Sequence, residues 1–203
     1  MAAGRSYGSA GSGLGSASAR NKFGANAQVG AQGERQFGEM LKRNGFDGKY
    51  TVWYSLALPS DPTNRGAKDY GTDVDVAISN GDKIILVDVK RWSAKYTYWS
   101  IFGKPFQNLT PKMEKGKWAL SKNMEMALDR FRKNLPGISV EAIVVFVPTT
   151  KNGGSPSVGF LRWPGGIRSY AAGDGLSKIG RFLGPAKPNN PIIMQKVGRL
   201  VKK

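Results

Sequence analysis

Residues 71–92 read GTDVDVAISNGDKIILVDVKRW, and the reading of this stretch decides the fold. Over residues 73–78, Asp73, Asp75 and Ala77 fall on one side and Val74, Val76 and Ile78 on the other. Such alternation marks a half-buried strand. Asn80-Gly81 is the strongest short turn signal in the chain, because both residues tolerate the positive φ of tight hairpin turns. A second strand is predicted over 83–91, rich in β-branched and aliphatic residues. On it Ile84, Leu86, Asp88 and Lys90 share a face, while Ile85, Val87 and Val89 point the other way. Opposed residues of an antiparallel pair lie on the same face with Cβ atoms about 5 Å apart. If the loop is 80–83, Asp75 sits opposite Asp88; if the turn is only Asn80-Gly81, Asp73 takes that place. In either register a carboxylate pair forms beside Lys90. Two carboxylates that close repel each other unless a divalent cation or the lysine sits between them, so the stretch reads as a metal site.

The chain of 203 residues is long enough for one domain with appendages and a real core. Its formal net charge of +17 favours polyanionic partners, nucleic acid above all, or an anionic membrane surface. There is no cysteine and no histidine, which excludes disulfides, thiol catalysis, thiolate zinc sites and every imidazole mechanism. A metal held by oxygen ligands alone points to Mg²⁺ or Mn²⁺. No run of about 18 apolar residues predicts a membrane span, and the N-terminus lacks the order of a signal peptide.

Outward from the hairpin, residues 28–44 predict a first helix, with Val29, Gly33, Phe37, Met40 and Leu41 at helical spacing and Gly45 as the stop. Glu34 falls at the edge of the stripe formed by Gly30, Phe37 and Leu41, partly inward, although a surface Glu near a helix start is also favoured by the macrodipole. Gly33 would let this helix approach another element. Residues 50–58 predict a strand, followed by a polar loop to Tyr70. After Trp92 comes a stretch of aromatics and bases (Lys95, Tyr96, Tyr98, Trp99, Phe102, Lys104, Phe106), able either to grip phosphates and stack on bases or to extend the third strand and cap the core. Residues 111–135 predict a long amphipathic helix ended by Pro136-Gly137, with Lys112, Lys115 and Lys117 crowding its first half. Residues 139–147 predict a strand buried on both faces. The expected division is therefore a flexible basic Gly/Ser/Ala-rich tail over 1–27, a core over 28–150, and a basic extension over 151–203 with a short strand at 159–163 and helices at 176–183 and 192–201.

The order helix, three antiparallel strands, helix, strand, with Asp75 and then Asp88-Val89-Lys90, resembles the PD-(D/E)XK nuclease superfamily. Within it the chain most resembles the nuclease-related domain (NERD) family. The resemblance rests on Gly30-Ala31-Gln32-Gly33-Glu34, Asp73-Val74-Asp75-Val76-Ala77, the segment from Leu86 to Trp92, Phe106-Gln107, and Ala142-Ile143-Val144-Val145-Phe146. Asp88 stands where the family more often has Glu, and its shorter arm leaves less reach to a metal. The resemblance implies a restriction-endonuclease-like α/β (α+β) fold, an αβββαβ core whose mixed central sheet is flanked by helices. It also implies Mg²⁺- or Mn²⁺-dependent hydrolysis of phosphodiester bonds in DNA. Asp75 and Asp88 would be metal ligands with the Val89 carbonyl a third. Lys90 would orient or activate the water and offset phosphorane charge, and Glu34 would add a metal or water ligand. Arg91, Lys95, Lys104, Lys112, Lys115 and Lys117 are the candidate phosphate contacts. A cytoplasmic setting, bacterial or phage-encoded, is implied as well, and cutting both strands together would need two copies, as in a homodimer. Two other readings stand beside this one. A non-catalytic nucleic-acid-binding or packaging protein would need only the charge, and a polybasic peripheral membrane protein would need an amphipathic helix or lipid anchor that the sequence does not display.

Overall fold

The computed structural model describes residues 4–12, 25–63, 73–102, 104–112, 119–149 and 153–202, with side chains from residue 28 in the first helix. Lys115, Lys117 and most of the 1–27 tail lie outside them. In chain order the elements are β1 (Arg5–Tyr7), α1 (Ala25–Arg43), α2 (Phe46–Lys49), β2 (Thr51–Ala57), β3 (Asp73–Asn80), β4 (Lys83–Lys90), β5 (Thr97–Ile101), β6 (Lys104–Gln107), β7 (Thr110–Pro111), α3 (Asn123–Asn134), β8 (Ser139–Phe146), β9 (Ser157–Phe160), β10 (Arg162–Trp163), a 3₁₀ turn (Pro164–Gly166), β11 (Ile167–Ala171), α4 (Ala172–Leu183) and α5 (Pro191–Gly198). The expected αβββαβ order is present as α1, β2, β3, β4, α3 and β8.

A mixed sheet in the order β1-β2-β3-β4-β8-β11-β10 runs through the centre, and a small sheet in the order β7-β6-β5-β9 lies beside it. β2, β3 and β4 form an antiparallel meander. β8 returns parallel to β4 over its whole length, the connection carrying α3 as parallel pairing requires. The middle strands are covered on both faces, which explains why IILV in β4 shows no polar alternation. On one face Phe37 and Leu41 of α1, Phe46 of α2 and Leu176, Ile179 and Leu183 of α4 pack over Val52, Val76, Ile85, Val87 and Val145. On the other, Met124, Ala127, Leu128 and Phe131 of α3 and Ile193 and Val197 of α5 cover Trp53, Ile84, Leu86 and Val144. Each large side chain so buried contributes roughly 1.5–3 kcal/mol. Among the described residues no helix is long and apolar enough to cross a membrane.

The structure departs from the sequence expectations in four places. α3 begins at Asn123 rather than near residue 111, because Thr110–Pro111 pairs as β7 with β6. The aromatic stretch does not lengthen β4; it turns aside into the small sheet, with Tyr98 buried and Phe102 exposed. After residue 153 the chain adds β10 and β11 to the central sheet, and the expected strand at 159–163 is split between the two sheets as β9 and β10. Finally, Arg5–Tyr7 pairs parallel to β2. The glycines there permit contact with backbone: a Cβ on Gly4 would sit 2.1 Å from the Asp47 carbonyl oxygen, and Gly8 takes a φ of 75° against Tyr54.

Candidate active site at the open end of the hairpin

Gly81 occupies the first central position of the β3–β4 turn at φ 56°, and the ladder runs from Asn80↔Lys83 to Val76↔Val87. One step further in the same register, Asp75 faces Asp88, so of the two registers the sequence allows, the chain adopts the one with Asp75 opposite Asp88, through a two-residue Gly81-Asp82 turn with Asn80 and Lys83 paired. The β3–β4 ladder ends there. Asp75 Oδ2 accepts a hydrogen bond of 2.7 Å from the Val89 N–H, a side chain taking over from the strand. Ser55 of β2 lies across from Asp75 between the pairs Tyr54↔Val76 and Leu56↔Val74, and holds a φ of 54°. On β4, Asp88 and Lys90 are two residues apart and therefore neighbours on one face. Lys90 Nζ stands 2.8 Å from Asp88 Oδ2 and 3.0 Å from Oδ1, both side chains being largely enclosed. The same ammonium lies over the Trp163 ring at 5.4 Å.

Glu34 reaches this end of the hairpin from α1. It is only 4 % exposed, which settles its placement as inward. Its Oε2 accepts a hydrogen bond of 3.1 Å from the Gly11 N–H. The helix can approach because position 33 is Gly: a Cβ there would already lie 3.3 Å from the Arg91 Cβ. Burial first, then the charges of Asp88 and Asp73, push the Glu34 carboxyl up to about 7, with the Gly11 hydrogen bond and Lys90 opposing. Asp75 is raised well above the usual carboxylate range by burial, then by Glu34 and Asp88, against Lys90 and the Val89 N–H. Asp73 has another partner: Lys202 Nζ is ion-paired and hydrogen-bonded to its Oδ1. The Lys202 N–H also donates to the Ser55 carbonyl, so the C-terminal residues lie along the β2 edge of the site.

The candidate phosphate contacts divide. Arg91 donates to the Thr149 carbonyl at 2.6 Å and packs against α1, a structural tie. Lys95 and Lys104 are exposed. Lys112 lies 4.7 Å over the Trp92 ring and 5.6 Å over Tyr98. Sequence reasoning missed Gly11, Trp163 and Lys202. Trp163 and Lys202 stand far along the chain from their partners, and Gly11 carried no signal in a glycine-rich segment.

Among the described residues no three acidic side chains are grouped as a carboxylate-only metal site would need. A Mg²⁺ site needs less, since this ion keeps several waters and takes one or two carboxylates. Asp75, Asp88 and the Val89 carbonyl fit that demand. Asp88 Oδ2 is buried and accepts no hydrogen bond of good geometry, although the Lys90 ammonium is close. Asp75 and Glu34, both raised by burial first and by neighbouring carboxylates second, would both gain from a cation.

The family model of the nuclease-related domain matches residues 29–147, more than half of the chain. Neither the curated proteins nor the solved structures contain a match. The matched span opens on α1, closes after β8 and encloses Glu34, Asp75, Asp88 and Lys90, and the chain belongs to the nuclease-related domain family.

Proposed function

We propose that this chain is a Mg²⁺- or Mn²⁺-dependent nuclease of the PD-(D/E)XK type that hydrolyses phosphodiester bonds in DNA, in the cytoplasm of a bacterium or of a phage-infected cell. The observation that carries the reading is the set of like-charged carboxyls, Asp75 and Glu34, placed against the Asp88–Lys90 pair where β3 and β4 part. A fold gains no stability from that arrangement, so a reaction is the better explanation. Asp75, Asp88 and the Val89 carbonyl would hold the cation, with Glu34 as a further ligand to it or to its water. When bound, it would supply a more acidic water and neutralise charge on the non-bridging oxygens. Lys90 Nζ leaves Asp88 for the scissile phosphate, where its point charge orients the attacking water and offsets the pentavalent charge. In the reaction a water oxygen bonds to phosphorus and releases a proton to solvent, the bond from phosphorus to the leaving oxygen breaks, and that oxygen takes a proton from solvent. The charge of +17 holds the polyanion throughout. Cutting two strands together would take two copies of the chain.

The test is incubation of labelled DNA with the purified protein in Mg²⁺, Mn²⁺ or EDTA, beside Asp88→Ala and Lys90→Ala. Metal-dependent cleavage by the wild type, lost in both variants, is expected. Tight, salt-sensitive binding without cleavage, equal in all three proteins, would leave a nucleic-acid-binding protein on a nuclease-related fold.

A further inference from the structure

The small sheet β7-β6-β5-β9 has an inner and an outer face. Tyr98 and Val158 turn inward and are buried. Across the outer face the register aligns Pro111, Phe106, Trp99 and Phe160 in one row. An irregularity between Thr97 and Trp99 gives β9 one extra residue, which brings Phe160 onto the outer side although Val158 points in. Trp99 and Phe106 are stacked, ring centroids 4.3 Å apart at 12°, and the Trp99 indole N–H is anchored to the Asn108 carbonyl. Phe160 is 81 % exposed, and Phe102, just beyond β5 at φ 47°, is 98 % exposed. A soluble surface rarely presents two bare phenyl rings beside a flat aromatic pair without a use for them.

Charge selects the occupant. No acidic residue occurs between Asp88 and Glu114, while Lys95, Lys104 and Lys112 do. Lys104 pairs with Ile101 at the edge of the aromatic row and is exposed. A second copy of the chain would bring another +17 to this face, which opposes self-association. Unpaired bases present flat π faces and carry phosphates, and they suit both features. The inner face of the same small sheet borders the candidate active site: the Trp92 ring centroid lies 4.8 Å from that of Tyr98 and 6.2 Å from that of Trp163, and Trp163 lies under Lys90.

We propose that the outer face of the small sheet is a stacking platform for an unpaired nucleic-acid strand, Phe160, Trp99, Phe106 and Phe102 receiving bases and Lys104 a phosphate. This deepens the proposed function and rests on nucleic acid being the partner; it commits the substrate to one with single-stranded character. The test is fluorescence anisotropy in EDTA with a labelled oligothymidylate and a blunt duplex, for the wild type, the double variant Phe102→Ala/Phe160→Ala, and Phe160→Trp. Both phenylalanines are bare, so their removal leaves the core intact. The double variant is expected to lose on the order of tenfold to a hundredfold in affinity for the single strand, at least about five times its loss on the duplex, and Phe160→Trp to retain or tighten single-strand binding. Equal losses on both DNAs, or none, would overturn the proposal. So would sedimentation showing that the double variant dissociates a dimer of the wild type, which would make the face a contact between copies. Cleavage of either DNA, single strand or duplex, in Mg²⁺ is assayed separately. Its absence would sink the nuclease and leave the EDTA binding readable, whereas an unchanged strand preference in the double variant with cleavage intact would sink the platform alone.

Discussion

The two ends of one hairpin treat buried polar groups in opposite ways. At the turn, Asn80 is 2 % exposed and every polar atom of its amide is matched: Nδ2 donates to the Leu183 and Pro185 carbonyls, and Oδ1 accepts from the Lys187 N–H. Around it Ser79 donates to Asn189, Asn190 donates to Asp82, and Lys83 donates to the Phe182 carbonyl. The end of α4 and the segment that follows it thus latch the turn with matched hydrogen bonds. At the open end Asp75, Glu34 and Asp88 crowd one lysine, two carboxyls are driven towards neutrality, and a buried carboxylate oxygen lacks a good hydrogen bond. The same strands carry both ends, so the contrast is one of purpose. Matched burial holds the sheet in register, and unmatched burial is what the proposed cation would relieve.

That contrast gives the order of expected effects. Asp88→Ala and Lys90→Ala should each lower cleavage by about a hundredfold or more while the fold persists, since in the proposed mechanism Asp88 holds the cation and Lys90 faces the phosphate. Asn80→Ala should do the reverse. It should destabilise the protein by roughly 2–4 kcal/mol in urea unfolding, because it strands two carbonyls and an N–H, and leave the proposed cation binding of the folded protein unchanged.

The next effect carries a sign. Glu34 titrates near 7 in the fold against about 4.5 ordinarily, so between these values the folded state holds the extra proton. Stability in EDTA should therefore fall as pH rises through that window, by about 3 kcal/mol once pH exceeds 7. Glu34→Gln, which keeps an acceptor for the Gly11 N–H, should flatten that slope and be the more stable protein at alkaline pH. A rise in wild-type stability across the same window would break this assignment. Smallest of all, Lys202→Gln should cost less than about 1 kcal/mol, because its pair with Asp73 is partly open to solvent.

Where local chemistry decided the structure, the sequence was legible. The β3 alternation, the Asn80-Gly81 turn and the helical spacing of α1 are short-range signals, and they placed Asp75, Asp88 and Lys90 on one hairpin, whereas Glu34 stood at the edge of its stripe with a surface position also open to it and took a site role only from the family resemblance. The choice between Asp75 and Asp73 opposite Asp88 hung on where the turn is centred, and the pairing of Asn80 with Lys83 centres it one position beyond Asn80-Gly81. Harder to read was pairing over long separation. β11 (IRSYA) has too little apolar pattern to announce a strand, and it forms because β8 offers it an edge. Glycine misled at the N-terminus: Gly4, Gly8 and Gly11 read as disorder, yet each permits a close backbone approach, and Gly11 supplies the hydrogen bond to Glu34. Lys202 is 129 positions from Asp73, beyond any local signal.

The central claim, that the open end is built for a divalent cation, is tested most directly by calorimetric titration of Mg²⁺. It is run just below pH 7, in two buffers of different ionisation enthalpy, on the wild type and Asp75→Asn. The account expects saturable binding to the wild type with release of protons as the raised carboxyls ionise, seen as a buffer-dependent heat, and loss of both in Asp75→Asn. Equal binding to both proteins, or no binding with the turn and fold intact, would contradict it.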